Sequence, residues 1–280
     1  MKYFVQGNKG RVGVSTICIG MAISMHEQGK DTSLIRIGND EAAQNDAQTF
    51  ANIDNITAAA EPMSIEQFAQ ADISNNVISI IEVPQDIDIQ NISNKEDRKL
   101  FITDEVMEIP AGFDMLIRNH SLKPGPNRIV ESSILSSTDL GVILDATDAR
   151  VISSSSDADR DEIETIMIGP ISHDATDSSY FDKFQNKLIL TRSEKVDLVL
   201  GAMAGDTTCI LLTGGNEPSP YIIDRLFGNP ETTLAITNYT TNEAMEKIGS
   251  IVGVQQINSA KKITEITKLF HEAIDLKDFS

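Results

Sequence analysis

Three glycines within seven residues, Gly7, Gly10 and Gly13 in GNKGRVG, constrain this chain more than any other feature. They follow a short strand-like run, Lys2 to Gln6, and precede residues suited to a helix from Val14 to about Gln28, stopped by Gly29. A strand, a glycine turn and a helix start in succession aim loop amides and the unbonded N–H groups of the helix at one point, where an anion binds. Glycine recurs in such loops because the backbone turns sharply and a ligand approaches it closely. A plain strand-to-helix turn needs fewer glycines, and here the hydroxyls of Ser15 and Thr16 follow at once.

The stretch resembles a P-loop, and within that group the deviant Walker A signature, K-G-G-x-G-K-T, of the partitioning and dethiobiotin-synthetase-like ATPases. Lys9-Gly10-Arg11-Val12-Gly13-Val14-Ser15 matches it at Lys9, Gly10, Gly13 and Ser15, and departs at Arg11 and Val14. The resemblance implies a parallel-sheet α/β domain binding ATP or another nucleotide with Mg²⁺. Its binding residues would be Gly7, Asn8, Lys9, Gly10, Arg11, Val12, Gly13, Val14, Ser15 and Thr16. Ser15 would share the metal with an acid at a strand end, either Glu82, near the end of VISIIEV, or Asp114 in FDMLI. Arg36 falls near where that family places a basic residue for substrate, although an exposed strand-terminal arginine is the commoner explanation. Valine at position 14 stands where the usual motif has lysine. The missing ammonium removes charge stabilisation that phosphoryl transfer depends on, so phosphate binding with little or no catalysis is expected.

The 280 residues suffice for two domains with real cores, and 40% hydrophobic with 23% charged residues describes a globular chain. A net charge of −19 excludes non-specific nucleic-acid binding and disfavours an anionic membrane surface. No apolar run is long enough to cross a membrane, and the first twenty residues carry a glycine loop instead of a signal-peptide core. Cys18 and Cys209 lie far apart in apolar runs and read as buried free thiols. A cytoplasmic location is the expectation. His26, His120, His173 and His271 are scattered without metal-ligand spacing, and no G-x-S-x-G elbow or nucleophilic triad is visible.

Beyond the loop, Thr32–Ile37 reads as a strand and residues 39–61 as loop with a helical piece. Ser64 and Gln67 form a capping-box pattern opening a short helix. Val77–Val83 and Phe113–Arg118 read as strands around a polar surface stretch, Asp86–Lys99. Ile129–Leu135 suits a short helix and Leu140–Leu144 a buried strand. The serine and aspartate run Ser153–Asp161 marks the expected boundary between domains at residues 1–150 and 163–276. The second half alternates strands (164–168, 187–191, 208–213, 233–237) with helices (177–184, 194–204, 219–227, 241–251, 260–274) at βαβ spacing.

Leu188–Asp224 resembles the DRTGG domain, which follows a dethiobiotin-synthetase-like module in some phosphotransacetylases and is inserted in certain pyrophosphatases. Thr213-Gly214-Gly215 after a strand, the Pro218-Ser219-Pro220 helix start and Ile168-Gly169-Pro170-Ile171-Ser172 carry the likeness. Where that family shows Gly-Asp-Arg-Thr-Asp, this chain has Ser193-Glu194-Lys195-Val196-Asp197. The resemblance implies a smaller α/β domain associated with dimerisation and regulation, hence a homodimer. No acetyltransferase-like stretch follows, so phosphotransacetylase activity is not expected. Thr213, Gly214 and Gly215 also form a second candidate ligand edge, since a strand ending in Gly-Gly can present free amides at the carboxyl edge of a parallel sheet. The plainer reading is a tight turn that needs glycine for positive φ.

Three functions fit these residues. The first is a regulatory sensor of a nucleotide or other small phosphorylated ligand. The second is an ATP-dependent ligase or ATPase in which Lys9 replaces the missing lysine, and the third a ligand-free dimerisation module.

Overall fold

The computed structural model describes residues 1–73, 77–155, 162–169, 181–226, 231–252, 257 and 259–275. The chain forms two compact units, Met1–Leu135 with Gln256–Ser280, and Ser136–Gln255.

In the first unit the chain runs β1 (Lys2–Gly7), α1 (Val14–Glu27), β2 (Thr32–Arg36), α2 (Glu41–Ala51), β3 (Thr57–Ala58), α3 (Ile65–Gln70), β4 (Ile78–Val83), β5 (Arg98–Thr103), β6 (Met115–Ser121) and β7 (Arg128–Val130). The strands form one sheet in the order β3-β2-β4-β1-β5-β6-β7, every pairing parallel. β1 lies at its centre between β4 and β5, so the loop after it opens where the winding of the sheet reverses. Ligands of open α/β sheets bind at such reversals, outside the carboxyl ends of the strands.

Burial explains the strands. Tyr3 and Val5 point to one face of the sheet and Phe4 to the other, and all three are essentially inaccessible. A central strand covered on both faces needs such a continuous apolar run. On one face α1 packs through Ile17, Cys18, Met21 and Met25, together with the closing helix Ala260–Ala273 through Ile266, Leu269 and Phe270. The two helices meet closely at Gly20, where a Cβ would lie 3.0 Å from Ile266 Cγ1. The other face holds Phe4, Ile37, Phe68, Ile81, Val83 and Ile89. The expected capping box is present: Ser64 Oγ accepts from the Gln67 amide at 3.2 Å and Gln67 Oε1 from the Ser64 amide at 2.8 Å.

The second unit contains β8 (Thr138–Asp139), α4 (Leu140–Ala146), β9 (Arg150–Ser153), β10 (Glu162–Ile163), β11 (Thr165–Ile168), β12 (Lys187–Arg192), α5 (Val196–Ala204), β13 (Thr207–Thr213), α6 (Pro220–Leu226), β14 (Thr233–Ile236) and α7 (Thr241–Ile251). Its main sheet has the order β11-β12-β13-β14-β9, parallel except for the antiparallel edge strand β9. β8 and β10 pair separately. Every residue of β13 is buried, including the three threonines Thr207, Thr208 and Thr213.

Several expectations are corrected. Leu140–Leu144 is helical, not a strand: Asp139 caps it by accepting the Val142 amide at 3.2 Å, and Leu140 and Ile143, three apart, are the buried residues. Period alone cannot type an apolar run this short. In place of the helix expected over Ile129–Leu135, Arg128–Val130 pairs with β6 as an edge strand. The surface stretch expected to reach Lys99 ends early, because Arg98 opens β5, a neighbour of the central strand.

The serine and aspartate run does not divide the units: β9 before it and β10 after it both lie in the second. The closing helix, expected with the second domain, is in the first, where its apolar face completes the packing on α1. Residues 156–161, 170–172 and 177–180 lie outside the described residues, and with them part of the expected boundary run, of the Ile168–Ser172 likeness and of the helix expected at Asp177–Phe184. Among the described residues no helix is long and apolar enough to cross a membrane.

Candidate functional site

The glycine loop sits at the carboxyl end of β1, anchored on one side by the Asn8 amide, which donates to the Ile102 carbonyl of β5 at 3.0 Å. Gly7 is buried against the loop's own return, and a Cβ there would lie 2.6 Å from Val12 Cγ1 and 2.8 Å from Val14 Cγ2. Val12 is 1% exposed, and Val14 packs on the same core. The side chain that replaces the expected lysine therefore turns inward and holds the loop by apolar contact. It brings no charge to the mouth.

Arg11 and Gly13 both have left-handed backbone, with φ of 62° and 85°. Gly13 is the N-cap of α1, no side chain caps the helix, and its first turn contains no acid. The helix start thus keeps its partial positive charge available for an anion. Asn119 of β6 clasps the loop, donating from Nδ2 to the Val12 carbonyl at 2.9 Å.

Ser15 and Glu82 are brought together. Ser15 Oγ donates to Glu82 Oε1 at 3.0 Å. Glu82 lies on β4, level with Val5 on one side and Arg36 on the other. Arg36 Nε stands 3.6 Å from Glu82 Oε1 and donates to Asp46 Oδ2 at 3.0 Å. The commoner explanation for Arg36, an exposed strand end, is corrected: its side chain is only 10% exposed, because α2 presents Asp46 to it. Glu82 is 5% exposed, and its Oε2 is buried without a hydrogen-bond partner. Burial pushes the Glu82 carboxyl up to about 7, with Asp46 adding to the rise and Arg36 and Ser15 opposing it. An unspent buried carboxylate oxygen beside a hydroxyl suits a hard divalent cation.

The other acid considered for the metal, Asp114, lies elsewhere: its Oδ2 accepts the Lys99 amide at 2.8 Å, before β6 begins and away from the carboxyl edge. Lys9 is exposed and paired with Asp104 at 2.8 Å. That hydrogen bond raises the lysine above its ordinary value and lowers the aspartate. Thr16 is half-buried in the first turn of α1, and Gly10 has open space around it.

The second candidate edge behaves differently. The Gly214 amide donates to the Tyr239 carbonyl at 2.8 Å and the Gly215 amide to the Thr237 carbonyl at 3.0 Å, so neither is free. Both glycines have positive φ, and Thr213 Oγ1 lies 2.8 Å from Thr241 Oγ1, with Thr213 1% exposed. The turn reading holds at this point.

Asp104, Asn119, His120 and Glu131 come to the loop from the ends of β5, β6 and β7, and Asp46 reaches Arg36 from α2; none carries a sequence signal of its own. Cys18 and Cys209 are buried free thiols, as expected. Among the described residues no three histidine, cysteine or carboxylate side chains cluster as a metal site, and His173 lies outside those residues.

Residues 142–251 match the DRTGG domain family, so the second unit carries a DRTGG domain. The match starts in α4 and ends with α7, earlier at both ends than the expected 163–276. No curated protein matches the chain. Among solved structures it is similar to the CBS and DRTGG domains of the regulatory region of Clostridium perfringens pyrophosphatase, complexed with its activator diadenosine tetraphosphate. Identity is 20% and the TM-score 0.35, over 46% of this chain and 54% of that one. The chain thus spans about half the length of the structure it matches. What these findings define is an α/β protein with a large parallel sheet and a DRTGG domain.

Proposed function

We propose that this protein is a regulatory sensor whose Gly7–Thr16 loop binds a nucleotide or another small phosphorylated metabolite, with little or no catalysis. The loop amides and the uncapped start of α1 would take the phosphates, and Ser15 with Glu82 would hold Mg²⁺. The metal would supply charge neutralisation between phosphate oxygens. This chain's own residues would bind and orient. The carrying observation is the Ser15–Glu82 pair, a first-turn hydroxyl joined to a buried strand-end carboxylate that keeps one oxygen unspent.

Catalysis is a poor fit because Val14 is apolar and folded into the core, and because Lys9, its proposed substitute, is paired with Asp104. The enzyme reading is therefore second. Homodimerisation is part of the proposal, on the resemblance of the second unit. The cytoplasm is the proposed location, a reducing compartment suiting two free thiols.

Calorimetric titration with ATP, ADP and GTP, each with and without Mg²⁺, tests the reading. Micromolar affinity, about −8 kcal/mol, is expected, with the Mg²⁺-dependent part lost in Glu82→Gln. No binding at millimolar nucleotide would sink it. Mg²⁺-dependent ATP turnover that collapses in Lys9→Ala would favour the enzyme instead.

A further inference from the structure

The end of β6 brings an oriented histidine to the glycine loop. The register of β6 with β7 shifts between Arg118 and Ser121, and His120 within that shift adopts left-handed backbone, φ 52°. A non-glycine residue holds such a conformation only where its surroundings impose it. The imidazole then spans two partners. Nδ1 lies 2.6 Å from Glu131 Oε2, while Nε2 lies 3.8 Å from where a Gly13 Cβ would sit. No hydrogen bond reaches Nε2 among the described residues.

A carboxylate on Nδ1 fixes both ring orientation and tautomer, and leaves Nε2 to meet whatever occupies the loop. Of the other charged groups near the ring, Asp104, from the segment after β5, lies within electrostatic reach, and Lys9 of the loop is already bonded to Asp104. Glu131 follows β7. Val14 contributes no charge.

We infer that His120, oriented by Glu131, contacts the terminal phosphate of a nucleoside polyphosphate or similar phosphate ester and supplies on the Gly13 side the positive donor that Val14 does not. The inference rests on the nucleotide reading above and deepens it. The contact requires a proton on Nε2, because a neutral ring with a bare Nε2 would face phosphate lone pair to lone pair. In the complex the ring would donate from both nitrogens, Nε2–H to a phosphate oxygen and Nδ1–H to Glu131. No covalent step is involved.

The test is NMR of the histidine ring Cε1–H signals at neutral pH, with the His120 signal assigned by its loss in His120→Asn. The titrants are MgATP and, separately, inorganic triphosphate. The His120 signal should shift with each titrant and saturate with binding. Affinity should fall about tenfold in His120→Asn, as for loss of one charge-assisted hydrogen bond, and stay within about threefold in His120→Lys. Glu131→Gln should weaken binding less than His120→Asn. If triphosphate and MgATP bind, yet the His120 signal stays still and His120→Asn binds normally, the inference is overturned and the nucleotide reading survives. If neither ligand binds the wild-type protein, both fall.

Discussion

The two units each end a buried parallel strand in a glycine turn, and the turns differ in where their amides go. After β13, Gly214 and Gly215 return both N–H groups to carbonyls two dozen residues on, and the neighbouring threonine hydroxyl is bonded to another. After β1, the loop is held by contacts at its rim: the Asn8 amide, the Val12 carbonyl, and the two valines packed on Gly7. The start of α1 beyond it has no side-chain cap, and Glu82 keeps an unspent oxygen. A glycine turn at the carboxyl edge of a sheet is therefore not by itself a site. A site is left only where the folded chain does not consume its own polar groups.

Substituting the glycines gives the largest expected contrast. Gly13→Ala combines left-handed backbone with a Cβ 2.2 Å from Asn119 Nδ2. Strain and overpacking together should cost about 4 kcal/mol. Gly214→Ala has the same sign of φ but open space, with nothing within 4 Å. It should cost about 1 kcal/mol. Urea denaturation of both variants checks this, and equal losses would break the contrast between a clasped loop and a plain turn.

Glu82 comes next. Its folded carboxyl is raised to about 7 from 4.5, chiefly by burial. Below the unfolded value both states are protonated and the group costs nothing. As pH rises from about 4.5 to about 7 the unfolded chain ionises first, so stability falls, by up to about 3 kcal/mol. Glu82→Gln should remove that fall: the variant should gain on the wild type between pH 5 and pH 8 while losing its Mg²⁺-dependent affinity. A variant less stable than wild type at pH 8 would mean the Arg36 pair outweighs burial.

How much of this was legible in the sequence follows the same division. The loop, the alternation of strands and helices, the capping box at Ser64 and the DRTGG likeness rest on local signals, and each can be read from a short window. Ser15 and Glu82 were paired on a family resemblance, and the register of β4 against β1 brings them together. Strand β5 was obscured because Arg98 and Lys99 open it at the exposed amino edge, although Leu100 and Ile102 are buried. His120 and Asp104 carry no local signal, since only the ends of β5 and β6 bring them to the loop. Arg36 looked like an exposed strand end because its partner Asp46 arrives on the next helix. The closing helix was legible as a helix, but the partner of its apolar face was not.

A smaller effect tests the second turn. The buried Thr213 Oγ1 lies 2.8 Å from the half-buried Thr241 Oγ1 and donates to the Thr191 carbonyl at 3.4 Å. Thr213→Val should cost about 1–2 kcal/mol in denaturation, the penalty of a lost hydrogen bond and one stranded hydroxyl. Nucleotide affinity should not change. A matching loss of affinity would make the Thr213–Gly215 edge part of the ligand site and undo the distinction between the two turns.

The smallest expected effect concerns the pair that most resembles a functional one. Lys9 and Asp104 are 2.8 Å apart, but the lysine side chain is 51% exposed. An exposed ion pair is largely offset by solvation and side-chain entropy, so Lys9→Ala should leave the denaturation midpoint where it was. Its effect on nucleotide affinity is the informative quantity. Bound phosphate competes with Asp104 for the ammonium, so the lysine gains from the ligand only what it loses from the aspartate. Asp104→Asn removes the competitor, and it should tighten nucleotide binding where Lys9→Ala weakens it only slightly. If Asp104→Asn weakens binding instead, Asp104 belongs to the ligand or its cation, and its buried, unpartnered Oδ1 becomes a second free oxygen at the loop, beside that of Glu82.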